Sequence, residues 1–447
     1  MKSLFLRLVI YISLVVVFVG GMGWFGFQSS RDAFYQANRK EPLPSLQGIA
    51  KPKYDPKKPT VAVLLGNEST YGSDFMIPYE VFSRTGAYNV YAVASDNQVK
   101  TLTGGLDVVP HYSFQELDQL LGKSPDIIAI PFMNGNDEEK FQPIRKWIQQ
   151  HAEATFLSIC GGSGNLAATG LLKGKSAASH WLNLGVFEKD YPDTNWISDQ
   201  RYVEDGNIIS SAGVSSGIDA SLYVISQKLG EPMAAKIAKE LNYPTYHFVQ
   251  NPKMEPFEFE IATYAMNHAF QWNRKKVGAL LYNGVEEIAL SSVFDIYSNT
   301  GTTTVLSISN REQPIMTKHG LNLVSRHSLS NAPKLDRMIV PGREASELVA
   351  KDMKNWNKEV LFIHSDAPER YMLEVEFEDL AKQEDLLTAN HAVKRLEFRG
   401  DEIHLEGKAF PLETYGNILF AALLGLFVGY LIDRRMITKK NRNLLKP

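Results

Sequence analysis

Residues 155–172 read TFLSICGGSGNLAATGLL, and this stretch places the single cysteine of the chain, Cys160, between an apolar strand and a helix. The apolar run that ends at Ile159 is typical of a buried parallel strand, and a helical pattern follows over 165–172. The glycines after Cys160 allow a sharp turn and the close approach of a ligand. A strand that turns directly into a helix holds the intervening side chain at the sheet edge, where free N–H groups favour a thiolate. The pattern predicts a nucleophile elbow at Cys160, with an inert buried cysteine as the alternative.

Three further apolar runs precede this elbow, and each has the length of a buried strand. They are Thr60–Leu65, Asn89–Ala94 and Asp126–Pro131, and helical stretches separate them. Strands that alternate with helices predict an α/β fold built on a doubly wound parallel sheet. In such a sheet, ligands bind outside the carboxyl ends of the strands.

The second half of the chain repeats the first half. Residues 276–281, 293–298, 320–324 and 336–341 echo 60–65, 78–83, 105–109 and 126–131, with an offset that drifts only from 216 to 210 residues. A constant order and a nearly constant offset argue against chance and predict two related α/β units. In the second unit, 358–363 takes the place of the elbow strand and His364 stands where the first unit has Cys160. This unit is therefore expected to be degenerate.

Four motifs between residues 60 and 243 follow one another in a recognisable order. They are Gly104–Pro110, 158–181, Ser211–Asp219 and Gly230–Leu241. Together they resemble the ThiJ/PfpI superfamily, and in particular its isonitrile-hydratase-like proteins and the sensor domains of AraC-type regulators. The resemblance implies a flavodoxin-like fold, of the kind found in class I glutamine amidotransferases, with a cysteine on the elbow.

The same resemblance implies roles for three side chains. Cys160 matches the elbow cysteine of the family, His180 matches a histidine often placed near it, and Asp74 matches the acidic residue set against the thiol. An acid whose pKa is raised by burial can hold a thiolate by sharing a proton. The alternatives are a structural core histidine at 180 and an Asp74 that caps the helix beginning at Phe75.

One departure from the family pattern concerns the cavity beside the cysteine. Phe132 and Met133 stand where relatives commonly have two glycines, so bulk is expected there. The backbone N–H groups survive this change. Those of Gly161 and Phe132 are expected to contribute to an oxyanion site.

A second departure concerns partners. A second α/β unit stands where the regulators carry a helix-turn-helix domain, and the net charge is -3, so no nucleic-acid binding is expected. Ala289 replaces Asp74 in that unit, which predicts a structural copy that pairs with the first unit within the chain, or a homo-oligomer. The ten histidines lack metal-ligand spacing, so no metal and no cofactor is predicted.

Two uncharged apolar runs, 8–25 and 415–432, are each about long enough to cross a bilayer as a helix. The first is expected to be an uncleaved anchor, because no A-x-A-like cleavage site precedes the polar residues 28–30. A cleaved signal peptide is the alternative. In the second run, Gly425 and Gly429 form a G-x-x-x-G pattern, for which lipid-facing packing is the simpler interpretation.

The charges that flank these runs predict an orientation. Basic residues fill the tail after the second run, and Lys2 and Arg7 precede the first run, whereas Arg31, Arg39 and Lys40 just beyond the first run argue against a cytoplasmic N-terminus. The positive-inside rule then predicts a two-pass protein of the cell membrane, with both termini cytoplasmic and the large domain extracytoplasmic.

The predicted segments are a transmembrane anchor (1–29), a stiff Pro/Lys-rich linker (30–59), the first unit (60–243), a connector (244–275), the second unit (276–395), a hairpin and stalk around Gly400 (396–414), a transmembrane helix (415–433) and a basic cytoplasmic tail (434–447).

Two functions fit this sequence. The first is a cysteine-dependent hydrolase or hydratase that acts on a small electrophile outside the cytoplasm. The second is a non-enzymatic ligand or redox sensor, or an assembly module, that uses the same pocket. A scaffold with an idle pocket is a third interpretation.

Overall fold

The computed structural model describes residues 2–47, 49–135, 137–309, 311, 314–354, 356 and 359–444, with side chains described between residues 4 and 435. Residue 358, at the start of the predicted second elbow strand, lies outside these ranges. So do residues 445–447 of the predicted basic tail and the side chains of Lys2 and 436–444.

The first unit begins after a long N-terminal helix, α1 (Lys2–Tyr35). Its strands are β1 (Thr60–Leu64), β2 (Ser69–Thr70), β3 (Asn89–Ala94), β4 (Lys100–Leu102), β5 (Leu106–Val109), β6 (Tyr112–Ser113), β7 (Ile127–Ile130), β8 (Thr155–Ser158), β9 (Ser176–Ala178), β10 (Asn195–Ile197), β11 (Tyr202–Asp205) and β12 (Ile208–Ser211). Its helices are α2 (Gly72–Arg84), α3 (Phe114–Leu121), α4 (Glu138–Gln150), α5 (Gly162–Ala167), α6 (Leu184–Asp190), α7 (Val214–Leu229) and α8 (Glu231–Leu241).

The central sheet of this unit has the strand order β11-β12-β8-β7-β1-β3-β6. Its strands pair in parallel, except that β11 is antiparallel to β12. Helices cover both faces, so β1 and β7 are buried at every residue, which explains their unbroken apolar sequences. The flavodoxin-like α/β fold expected from the sequence is confirmed.

A connector with α9 (His247–Gln250) and α10 (Ala262–Phe270) leads to the second unit. Its strands are β13 (Lys275–Leu281), β14 (Thr303–Ser309), β15 (Ile315–Met316), β16 (Asn322–Val324), β17 (His327–Ser328), β18 (Arg337–Ile339) and β19 (Glu359–Leu361). Its helices are α11 (Glu287–Tyr297), α12 (Ala345–Met353), α13 (Met372–Gln383) and α14 (Leu386–Arg395), and α15 (Leu412–Leu444) follows. Short 3-10 turns span Thr103–Gly105 and Ser298–Thr300.

The parallel sheet of the second unit has the order β17-β14-β13-β18-β19, which reproduces β6-β3-β1-β7-β8 of the first. The two units join through strands that the repeat aligns with each other. β16 pairs antiparallel with β5, so that Asn322 faces Val109 and Val324 faces Asp107. Within the described residues, α13 follows β19 without counterparts of α5 and β9 to β12. A common origin of the two units stays a prediction from the repeat.

Helices α2 and α11, which also correspond in the repeat, pack against each other and cap each other. The carboxylate of Asp295 on α11 accepts a hydrogen bond of 2.7 Å from the backbone N–H of Ser73, in the first turn of α2. The carboxylate of Glu80 on α2 accepts one of 2.7 Å from the N–H of Ile288, in the first turn of α11. Each helix therefore satisfies a free N–H group at the start of the other, where a negative charge is also favoured by the helix dipole.

Helices α1 and α15 are long and apolar enough to cross a membrane, and they pack against each other. A Cβ atom on Gly425 would lie 2.9 Å from the Cα of Val15, and one on Gly429 would lie 2.8 Å from the Tyr11 ring. The G-x-x-x-G pattern therefore faces α1, which corrects the expectation of lipid-facing packing. Arg7 and Asp433 form an ion pair of 3.2 Å, so the helices run antiparallel.

The structure differs from the predicted segments at two places. α1 continues to Tyr35, and Arg39 of the predicted linker pairs with Asp107 of the first unit at 2.9 Å, so this segment lies against the first unit.

The predicted hairpin around Gly400 is wrong, because the described residues 396–411 include no strand. Phe398 is buried there and stacks on Tyr371 with ring centroids 5.7 Å apart, and this packing turns the chain instead.

Candidate functional site

Cys160 follows β8 and lies two residues before α5, as the elbow prediction required. Its φ is 57°, in the left-handed region that residues with a Cβ rarely adopt. Gly162 is needed at this turn, because a Cβ there would lie 2.1 Å from the carbonyl oxygen of Ile130. The tight contact with the end of β7 holds the cysteine at the carboxyl edge of the sheet.

Asp74 lies in the first turn of α2 and is fully buried. Its Oδ2 accepts a hydrogen bond of 3.2 Å from the N–H of Phe132, and among the described residues its Oδ1 has no geometrically well-formed partner. The helix begins at Gly72 and Tyr71 occupies the cap position, so Asp74 is not the cap residue. The structure therefore brings Asp74 to the thiol of Cys160, with which its carboxyl interacts.

Burial dominates the protonation of this pair. It raises the pKa of Asp74 well above its usual range, and the nearby carboxyl of Asp295 adds to the rise. The hydrogen bond from the Phe132 N–H acts in the opposite direction and lowers the pKa. Burial also raises the pKa of the Cys160 thiol, as does a charge on Asp74, whereas the N–H of Gly161 and the guanidinium of Arg395 oppose the rise. Burial therefore favours the uncharged form of both groups, and in its protonated form Asp74 is a hydrogen-bond donor to sulfur.

His180 lies in the wall of the same cavity, with both ring nitrogens engaged. Its Nδ1 accepts from the N–H of Leu182 at 3.3 Å, so its Nε2 carries the proton and donates to the carbonyl of Arg395 at 2.9 Å. Burial, with Arg395 nearby, lowers its pKa to about 3. This histidine is a neutral group that ties the first unit to the end of α14.

The two backbone positions predicted for an oxyanion site differ in what they do. The N–H of Gly161 points to the sulfur of Cys160, whereas the N–H of Phe132 is used by Asp74. The Phe132 ring covers the elbow, since a Cβ on Gly161 would lie 2.7 Å from it. The bulk expected beside the cysteine is therefore present, and Phe132 acts as a wall and as a support for Asp74.

A cavity of about 480 Å³ opens in front of Cys160. Besides residues of the first unit, three other parts of the chain line it. These are the last turns of α1 (Phe27, Arg31 and Tyr35), the connector (Phe259, Ile261 and Tyr264) and Arg395 at the end of α14. The site is thus assembled from both units and from the helix that continues out of the apolar N-terminal segment.

Arg395, at the end of the second unit, lines the cavity, and Glu397, just after that unit, lies near enough to act on the thiol; neither was predicted. Arg395 donates a hydrogen bond of 2.5 Å to the Tyr35 hydroxyl and lies 4.6 Å from the centre of the Tyr264 ring. Glu397 is buried with a φ of 56°, and burial raises its pKa to about 7. No local motif marks these residues, because their place depends on how the second unit packs onto the first.

One group of side chains away from the elbow has ligand-type atoms within 4.8 Å of one another, among the residues described: Glu80, Glu287 and His319. These groups already bind protein partners. Glu80 pairs with Arg84 at 2.6 Å, and Glu287 pairs with His319 at 2.6 Å. These contacts explain the arrangement as a buried ion-pair cluster between α2 and α11.

Comparison with known proteins bears on the first unit. Residues 59–227 match the DJ-1/PfpI family. The isonitrile hydratase of Pseudomonas putida is 30% identical over 177 residues, which cover 38% of this chain and 72% of that protein. The transcriptional regulator CdhR of Pseudomonas aeruginosa is 30% identical over 109 residues, which cover 22% of this chain and only 32% of the regulator.

Solved structures include a DJ-1 superfamily protein from Salmonella typhimurium, which is 21% identical with a TM-score of 0.36. The match covers 42% of this chain and 99% of that one. The isonitrile hydratase match spans more than two thirds of its relative and contains the elbow. The chain belongs to the DJ-1/PfpI family.

Proposed function

We propose that this protein is a cysteine-dependent hydrolase or hydratase that acts on a small electrophile. The observation that carries the proposal is the Cys160 elbow. There, a sulfur in a strained backbone conformation faces a cavity of about 480 Å³ beside a carboxyl group whose pKa is raised by burial. A nucleophile and a proton donor within one desolvated cavity are the two groups that addition of water in two steps requires.

The chemistry proceeds through a covalent intermediate. In the first step a bond forms between the sulfur of Cys160 and the electrophilic carbon, and the thiol proton passes through Asp74 to the substrate atom that gains electrons. In the second step water adds to the same carbon, the sulfur–carbon bond breaks, and the thiol regains a proton. The net reaction is the addition of water, without oxidation or reduction.

The similarity to an isonitrile hydratase supports the choice of a first test substrate. The full-length protein in detergent is incubated with a small alkyl isonitrile, and the N-substituted formamide is followed by NMR. We expect saturable turnover that Cys160→Ser abolishes, while its thermal unfolding stays close to wild type. Turnover that survives Cys160→Ser would contradict the proposal.

A ligand or redox sensor is the second candidate function. It is favoured by the path of α1, which runs without a break from its apolar segment to Tyr35 in the cavity wall. Ligand binding or oxidation in the cavity would then shift α1, which carries the apolar segment. Binding of an electrophile without turnover, in the same assay, would favour the sensor.

We also propose a location. The two apolar helices, the antiparallel Arg7–Asp433 contact and the basic residues at both ends support a two-pass membrane protein. Both termini would then be cytoplasmic, with the two α/β units on the other side of the membrane.

A further inference from the structure

Arg395 brings a positive charge into the cavity without a counterion. No carboxylate forms an ion pair with its guanidinium among the residues that the structure describes, and its Nε has no hydrogen-bond acceptor there. Burial by itself would lower the pKa of Arg395, but the hydroxyl groups of Tyr35 and Tyr264 outweigh this effect. The side chain therefore stays charged.

A partly buried, unpaired cation is costly to a fold, and the contacts of Arg395 offset only part of the cost. The Tyr35 hydroxyl takes one N–H group, and the Tyr264 ring offers a cation–π contact at 4.6 Å. A planar guanidinium can donate to both oxygens of a carboxylate, and the guanidinium of Arg395 lines the cavity. An anionic ligand would supply the acceptor that the protein lacks.

The position of Arg395 connects this charge to the reacting group. It lines the same cavity as Cys160 and is close enough to lower the pKa of the thiol. Two oppositely charged side chains at the end of α1, Arg31 and Asp32, also line the cavity. Much of the remaining wall is aromatic or aliphatic, including Phe132, Phe259 and Ile261. A ligand with an anionic group at Arg395 would place an apolar body against these walls, with its electrophilic carbon next to sulfur.

We propose that the Cys160 cavity selects electrophiles that carry a carboxylate-like anionic group, and that Arg395 of the second unit binds that group. The inference rests on the proposed function and names its substrate class. It also gives the second unit a role in recognition, in addition to its packing against the first.

The test compares two reagents of nearly equal size that alkylate the same sulfur. Iodoacetate is anionic and iodoacetamide is neutral, and the ratio of their rates at Cys160 is measured on the full-length protein by mass spectrometry. Because both reagents attack one thiolate, the ratio is independent of any change in the pKa of Cys160. We expect Arg395→Gln to lower the iodoacetate-to-iodoacetamide ratio by about tenfold, the size expected for the loss of a charged hydrogen bond.

Two variants serve as controls. Lys394→Gln removes the same charge one residue away, where the side chain contacts Trp181 at 4.7 Å from the ring centre, and should leave the ratio unchanged. Arg395→Lys keeps the charge without the planar fork and should restore part of the ratio. An equal ratio in wild type and Arg395→Gln, or an equal fall in Lys394→Gln, would overturn the proposal.

A second measurement separates this inference from the proposed function. If neither reagent labels Cys160, the proposed function fails, and thermal unfolding with benzoate or benzamide then tests the anion site alone. The site is supported if benzoate, but not benzamide, stabilises wild type and Lys394→Gln. Arg395→Gln should lose this stabilisation. Equal effects of the two compounds on wild type would overturn it.

Discussion

The carboxyl group of Asp74 and the thiol of Cys160 share a buried environment in which burial opposes a charge on either group. The pair therefore titrates as a unit, and the first proton to leave is shared between oxygen and sulfur. A protonated Asp74 that donates to sulfur favours the thiolate, whereas an ionised Asp74 opposes it. Which proton arrangement dominates decides whether Cys160 is a nucleophile near neutral pH.

We expect Asp74→Ala to slow alkylation of Cys160 below pH ~8.5, the usual pKa of a thiol. Without the donor, burial raises the pKa of the thiol, and only the Gly161 N–H and the guanidinium of Arg395 remain to oppose the rise. The measurement is the pH profile of iodoacetamide labelling of the full-length protein. Asp193→Ala, at an exposed carboxylate, is the matched control and should follow the wild-type profile. Labelling that is as fast or faster in Asp74→Ala would mean that Asp74 is ionised and suppresses the thiolate.

Local pattern was sufficient to find Cys160 and its elbow, because the strand, the turn and the helix are consecutive in sequence. Resemblance to the family supplied Asp74 and His180, of which His180 lines the cavity and Asp74 is buried beside Cys160. Arg395 could not be predicted in this way. It ends a helix of the second unit, and only the packing of that unit onto the first brings it near Cys160.

At the scale of elements, α2 and α11 are held together by carboxylates that accept from each other's first turn. Asp295 is the informative member of this arrangement, because burial raises its pKa to about 7 even though Ser73 and Thr103 donate to it. In the unfolded chain an aspartate has a pKa of about 3.9. Between these values the folded protein holds a proton that the unfolded chain has lost.

The difference between the folded and unfolded pKa of Asp295 determines whether stability rises or falls with pH. As pH rises from about 4 to about 7, the contribution of Asp295 to the free energy of unfolding falls, and above that range it stays constant. Asp295→Asn keeps an oxygen acceptor for Ser73 and cannot ionise. We therefore expect the stability of Asp295→Asn relative to wild type to increase across this window and then level off, as measured by thermal unfolding at a series of pH values.

The control for this measurement is Asp193→Asn, whose side chain is 64% exposed and should show no such trend. Parallel stability profiles for Asp295→Asn and wild type would show that Asp295 already ionises at its ordinary pKa. Glu397, whose pKa is also raised by burial, is present in both proteins and cancels in the comparison. Asp74 does not cancel fully, because Asp295 contributes to its raised pKa, so the pH profile of the double variant Asp74→Asn, Asp295→Asn is compared with that of Asp74→Asn.

The sequence predicted the buried strands better than the connections between elements. β1 and β7 are buried along their whole length and β13 from Val277 to Leu281, because both faces of these strands are covered, and their mainly apolar sequences leave little ambiguity. Gly400 with Asp401 has the composition of a hairpin turn, but the described residues on either side of it form no strands. Phe398 packs against Tyr371 and Phe377, and side-chain packing of this kind overrides a local turn preference.

At the scale of the whole molecule, the cavity, both units and α1 form one connected structure. Phe34 is 2% exposed, the hydroxyl of Ser30 lies 2.6 Å from His268, and Tyr35 holds Arg395. The sequence marked residues 8–25 as an apolar segment, and hydropathy alone could not show that the same helix continues into the cavity wall. A soluble fragment that begins at residue 50 would lack this wall, so experiments on the site require the full chain.

The antiparallel contact between α1 and α15 makes a sharp prediction about topology. Arg7 and Asp433 place both ends of the chain on one side of the apolar pair. In the proposed two-pass arrangement, the large exposed apolar side chains of the two helices, such as Val16 and Phe420, would face lipid. With basic residues at those ends, the α/β units are expected outside the cytoplasm.

Cysteine labelling in whole cells tests this arrangement, because the chain has a single native cysteine that can be removed. On a Cys160→Ser background, Lys173→Cys reports on the body, where the side chain is 75% exposed, and Lys440→Cys reports on the basic tail. We expect a membrane-impermeant maleimide to label Lys173→Cys in intact cells and Lys440→Cys only after permeabilisation. The reverse pattern would place the α/β units in the cytoplasm, and labelling of both in intact cells would show that the chain does not cross the membrane twice. Only the first outcome would put the Cys160 cavity in contact with small molecules outside the cytoplasm.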